Sequence, residues 1–239
     1  MEFRIADTFV DSLSKLNNED QKAVKTTIFD LQVDPSNPGL DFHKLERAQD
    51  PNFVSVRASR DLRVIIHRTK SDLLICFVGH HDEAYQWASR RKLETHPSTG
   101  AAQMVEIRER VEEIVIPTYV IEQRPKPLIF AKKSDEELLG YGIPVEWLAD
   151  VKAATEDSIL EVATHLPGEA AEALLELAVG GSPVVAAISE SVSPFDHPDA
   201  MRRFRVMGDL DELARALEYP WEKWSVFLHP EQRKFVEGN

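Results

Sequence analysis

The sequence predicts an α+β protein: a small antiparallel sheet with a helix pair on one face, followed by a mostly helical, acidic region. Three observations predict it. Apolar residues recur at helical spacing twice before residue 34, at Phe9, Leu13 and Leu16 and again at Val24, Ile28 and Leu31. From Phe53 the period changes to two, with Val54, Val56 and Ala58 on one side and Ser55, Arg57 and Ser59 on the other. The charge then splits. Residues 1–92 hold 14 Lys+Arg and 14 Asp+Glu, whereas residues 93–239 hold 14 and 27 and carry the whole net charge of −13.

The elements follow in order. "EFRIA" reads as a short strand and "TFVDSLSKL" as the first helix. Asn17 or Asn18 caps the second helix, with Gln21 three residues after Asn18 in capping-box position. "DPSNPG" stops it, because Pro, Asn and Gly suit turns. "FVSVRAS", "LRVIIHR" and "LLICFVG" are strands rich in β-branched residues, and "RTKSDL" is the polar turn between the last two. "DEAYQWASRRK" closes the unit as a short amphipathic helix.

"LETHPSTGAAQ" reads as a loop, "MVEIRERVEEIVIP" leaves helix and strand both open through Val105, Ile107, Val111, Ile114 and Ile116, and residues 96–133 as a whole read as a connector with prolines at 125 and 127. Residues 134–181 read as helical. Ser134 and Glu137 form a capping box, "VEWLADVKAATEDSILEVATHL" is one helix, and "PGEAAEALLELAVGG" another. Glu169, Glu172 and Glu176 sit at helical spacing as a solvated face. Residues 182–198 form a flexible linker of small residues, and residues 199–239 open a further domain whose first helix runs from Leu210 to Leu217.

Bulk properties narrow the function classes. No run of 18 apolar residues exists, so no membrane partner is expected. The N-terminus lacks a basic and apolar leader, and the single cysteine, Cys76, precludes an intrachain disulfide or a thiolate cluster, so a cytoplasmic protein is expected. Residues 41–92 are locally basic, 10 cations against 7 carboxylates, and hold His43, His67, His80 and His81, four of the eight histidines. That segment is compatible with nucleic acid, DNA or RNA, as partner. The adjacent His80 and His81 have no third ligand at sensible spacing, so no metal site is expected.

The stretch "HKLERAQDPNFVSVRASRDLRVIIHRTKSDLLICFVGHHDEAYQWA", in the order β-α-α-β-β-β-α, resembles the RelE/ParE toxin superfamily. The Lys44-Leu45 lead-in, the strand ending in Arg57, Arg63 opening the next, and the Gly79-His80-His81 corner before Tyr85 carry the resemblance, which covers residues 1–92. It implies nucleic-acid contacts from Lys44, Arg57 and Arg63. If the domain is a ribonuclease, it also implies catalytic roles for Arg63, His80, His81 and Tyr85. The chemistry would be 2′-OH attack on the adjacent phosphate, with a base, a cation for the developing charge and an acid for the leaving oxygen. Tyr85 could stack on a base or donate a proton. Departures stand beside the match: the strand reads Val54-Ser55-Val56 where active members carry a lysine pair, and Asp82 and Glu83 place negative charge at the corner.

"FLHPEQRKFV", Phe227 to Val236, resembles the motif that opens UvrD/Rep-type superfamily 1 helicases. The resemblance implies that Gln232 hydrogen-bonds the adenine edge of ATP, since an amide donates and accepts at once. ATP and magnesium, and a helicase motor in cis, are implied for a longer protein. No GxxxxGK[ST] loop occurs within the 239 residues, so this chain carries no cofactor site of that kind. The main expectation is therefore the N-terminal regulatory or nucleic-acid-binding region of a UvrD-like DNA helicase with its motor absent. The alternatives are a RelE-type endoribonuclease toxin domain with a C-terminal extension, and a protein-interaction scaffold.

Overall fold

The computed structural model describes residues 1–107, 126–184 and 193–218. They fall into two units. The first combines Met1–Arg91 with the described residues from Phe195 onward, and the second is Lys92–Pro194.

The first unit is built on a six-stranded sheet. Strand β1 (Glu2–Ala6) runs straight into helix α1 (Asp7–Ser14), and α2 (Asn18–Val33) follows. Asn17 is the cap of α2, accepting a hydrogen bond from the Asp20 amide at 2.9 Å. Gln21, expected in a capping box, instead donates its side-chain amide to the Leu16 carbonyl. Strand β2 (His43–Lys44), β3 (Phe53–Arg57), β4 (Leu62–Arg68), β5 (Asp72–His80) and helix α3 (His81–Ser89) complete the N-terminal part. The three long strands form an antiparallel meander, with β2 on its edge, and β1 pairs parallel to β5. The two-residue period sends Val54, Val56, Val64, Ile66, Leu73 and Ile75 onto one core with Phe9, Val24, Ile28 and Leu31 of the helix pair. The opposite face is covered by α3, whose Trp87 ring stacks on Phe77 at 5.0 Å and lies 5.9 Å from Phe53.

A β-bulge interrupts the β4–β5 ladder where Ile65 pairs with Phe77 and Ile66 with Ile75, leaving Cys76 as the extra residue. Helix α1 supplies what the ladder lacks. Thr8 donates to the Cys76 carbonyl at 2.7 Å, and the Val78 amide donates to the Ser12 hydroxyl at 3.0 Å. Ser12 is buried and donates in turn to the Phe9 carbonyl. Ser12→Ala leaves a buried amide unpaired and should cost about 1–3 kcal/mol in denaturant unfolding. Cys76 itself is fully buried, and burial pushes its thiol far up, so it is inert as a nucleophile.

The second unit begins with a hairpin of β6 (Arg91–Thr95) and β7 (Ala102–Glu106), where a loop is expected from sequence up to Gln103 and either helix or strand after it. The Pro, Ser, Thr and Gly residues form its turn. His96 is fully buried there, its Nδ1 accepting from the Ser98 and Thr99 amides and its Nε2 3.0 Å from the Ile143 carbonyl. Gly100 takes φ +74°, a left-handed conformation that suits glycine. Helices α4 (Asp135–Gly140), α5 (Leu148–Ala153), α6 (Ile159–Thr164) and α7 (Gly168–Ala178) surround a core of Phe130, Leu138, Ile143, Trp147, Val151 and Leu174. The helix expected over 145–166 is broken at 154–158, where the Thr155 amide donates to Ser158. Glu169, expected on the solvated face, is buried and accepts from Gln103 at 2.9 Å.

The capping box at Ser134 and Glu137 is present in full. Ser134→Ala should lower the stability of this unit by about 1 kcal/mol in urea unfolding. A hydrogen bond from Lys133, then the Ser134 amide, hold the Glu137 carboxyl below its usual range. A depressed acid stabilises above its ordinary value, so this contribution is full at neutral pH and fades on acidification through the lowered value.

The chain then returns to the first unit through α8 (Pro198–Arg203), β8 (Phe204–Val206) and α9 (Leu210–Glu218). Strand β8 pairs antiparallel with β1 at the edge of the sheet, giving the order β2-β3-β4-β5-β1-β8. The segment set apart from sequence as the start of another domain is thus, over its described residues, part of this one. Met207, Leu213, Ala216 and Leu217 are buried in the same core as Phe3, Ile28 and Leu31. Arg203 pairs with Asp7 at the start of α1, 3.2 Å apart. Burial nevertheless raises the Asp7 carboxyl above its ordinary value, outweighing the guanidinium. Among the described residues no helix is long and apolar enough to cross a membrane.

Candidate functional site

A cleft of about 720 Å³ opens in the first unit between the segment Lys44–Ala48 and the exposed face of α3. Helical geometry explains which α3 residues reach it. Ala84, Trp87 and Ala88 are buried against the sheet, so Asp82, Tyr85, Gln86 and Ser89 are left to line the cleft beside His81. The opposite wall carries Lys44, Glu46 and Arg47. Gly79 fits the corner before α3: a Cβ there would lie 2.8 Å from a Glu83 carboxylate oxygen and 3.0 Å from the Phe77 ring.

Three contacts hold the His81 end of the cleft. The His81 and Tyr85 rings, one helical turn apart, lie 4.2 Å centroid to centroid with 36° between their planes. His81 Nδ1 is 2.9 Å from Asp82 Oδ1. A carboxylate only accepts, so Nδ1–H donates and Nε2 is the nitrogen left to meet a substrate. The Tyr85 hydroxyl is 3.2 Å from the hydroxyl of Ser55 on β3. The cleft therefore brings together an imidazole, two cations and two carboxylates. Near-balanced charge makes it a poor general polyanion trap and leaves recognition to local geometry.

The sequence-predicted residues divide. Lys44, His81 and Tyr85 meet at the cleft. His80 ends β5 and places its Nδ1 2.6 Å from Asp61 Oδ2, away from the cleft lining. Arg63 is buried, and its Nη1 donates to the Ser59 and Leu62 carbonyls at 3.3 and 3.0 Å, closing the β3–β4 turn. Arg57 stands opposite Arg63 in the ladder and is exposed. Gln232 lies outside the described residues. Sequence reasoning missed Arg47, Gln86 and Ser55. Arg47 stands three residues after Lys44, a spacing that hints at a shared face, but nothing local ties Ser55 to a tyrosine 30 residues on.

No family model matches the chain. No curated protein matches it either. Among solved structures, the RelB-RelE antitoxin-toxin complex from Methanococcus jannaschii is similar, at 24% identity over 35% of this chain and 95% of that one, with a TM-score of 0.30. A copper-bound mutant toxin from Helicobacter pylori is similar at 16% identity over 35% of this chain and 97% of that one, with a TM-score of 0.26. The likeness covers about a third of the chain, and the fold of the first unit is the α+β arrangement of a sheet with a helix pair on one face.

Proposed function

We propose that the first unit is a RelE-type endoribonuclease domain whose site is the cleft between Lys44–Ala48 and α3. The observation that carries this reading is His81, held at Nδ1 by Asp82 and across its ring by Tyr85, in a cleft that also holds Lys44 and Arg47. The sequence resemblance of residues 1–92 supports it independently. In this reading Nε2 of His81 takes the proton of a ribose 2′-hydroxyl. The 2′ oxygen bonds to the adjacent phosphorus, the bond from phosphorus to the 5′ oxygen breaks, and that oxygen takes a proton from water. Lys44 and Arg47 offset the charge that grows on the phosphoryl oxygens. The products are a 2′,3′-cyclic phosphate and a 5′-hydroxyl.

The test uses the full chain and 5′-labelled single-stranded RNA, free and on translating ribosomes. Cleavage ending in a cyclic phosphate is expected. A strand with one 2′-deoxyribose at the cut position should survive there. Cutting of that deoxy strand at the same rate, or intact RNA in both settings, overturns the reading.

A further inference from the structure

We propose that Ser55 is a positioning residue for His81, acting through Tyr85. Ser55 is fully buried in β3, on the sheet face that α3 covers, between Phe53 and Ile65 on a face that also carries the buried Arg63 and His67. A hydroxyl at such a place needs a partner, and the partner present is the Tyr85 hydroxyl at 3.2 Å. The bond ties the tip of Tyr85 to the sheet. The ring of Tyr85 is then laid against the His81 imidazole at 4.2 Å.

Two consequences follow for Tyr85. Its hydroxyl is engaged below the cleft, and one ring face is engaged by His81, so its part is to orient and not to protonate a leaving group. The imidazole is held at Nδ1 by Asp82 and on its face by Tyr85, which directs Nε2. Asp82 is exposed and holds its partner weakly, so the part-buried hydroxyl pair, fixed at the buried Ser55, is the firmer half of the clamp.

This inference rests on the ribonuclease reading for its kinetic consequence, and the experiment separates the two. RNA cleavage is measured for the wild type, Ser55→Ala, Tyr85→Phe and the double variant. The position of the His81 Hε1 resonance, displaced by the Tyr85 ring current, is followed by NMR in the same four proteins. Each single variant should lower kcat about tenfold with KM little changed, because a loosened general base is misplaced by a fraction of its reach. The double variant should be no worse than either single one, since both break one link. The His81 Hε1 displacement should shrink in both. Additive losses, or an unchanged His81 resonance in Ser55→Ala, overturn the inference. Should the wild type cleave no RNA, the functional reading falls, and the NMR result alone decides whether Ser55 positions His81. If Ser55→Ala fails to fold, Tyr85→Phe removes the same hydrogen bond from the other side.

Discussion

His81→Ala will lower RNA cleavage by about 10²–10⁴-fold while leaving the unfolding midpoint near that of the wild type. The two halves of that expectation have separate grounds. The rate falls because the cleft places one imidazole beside its cations, and the other histidine of the corner, His80, is turned to Asp61. Stability holds because His81 is exposed at the first turn of α3, while the helix is anchored by Ala84, Trp87 and Ala88. Cleavage assays at saturating RNA, with circular dichroism on the same samples, check both. A variant that cleaves as fast as the wild type would remove His81 from the chemistry. His80→Ala serves as the comparison and should lose less than tenfold.

Leu213→Ala will destabilise the first unit by about 2–5 kcal/mol. Leu213 is fully buried, packed in the cluster that holds Phe3, Ile28 and Leu31. Its removal leaves a cavity between α9 and the helix pair, and the surrounding side chains relax only in part. The loss should reach residues far away in the chain. Amides of β1 and β5 should exchange faster with solvent, because β8, on the same returning stretch as α9, closes the edge of the sheet that β1 would otherwise present bare. Hydrogen exchange on the full chain reads this directly. Protection confined to a change within 195–218 would mean that α9 is an appendage to the sheet.

Much of the sheet unit was legible because its periods are local. Val24, Ile28 and Leu31 announce a buried helical stripe, and Val54 and Val56 announce a strand face, and all of them pack as read. The Ser134 capping box was legible for the same reason, as its two partners stand three residues apart. The return of β8 to β1 was not. A three-residue strand has no period to detect, and the pairing of Arg4 with Val206 joins residues about 200 apart. The β6–β7 hairpin was hidden because its turn composition outweighs its short strands. At the candidate site, Lys44, His81 and Tyr85 could be named through the family resemblance of residues 1–92, while Ser55 could not. Its role comes from the register that sets β3 beneath α3, a tertiary fact.

The division of the first unit into two stretches also sets a schedule for its birth. A ribosome that has finished Arg91 has made five of the six strands, yet it must still make all of Lys92–Pro194 before Phe195 appears. At about 5–20 residues per second, the wait from Arg91 to the end of α9 is roughly 6–25 s. During that interval the nascent sheet has an open flank and its core lacks Met207, Leu213 and Leu217. Completion of the fold is thereby deferred until nearly all of the described chain has been translated, which separates the making of the cleft residues from the finishing of the body that holds them.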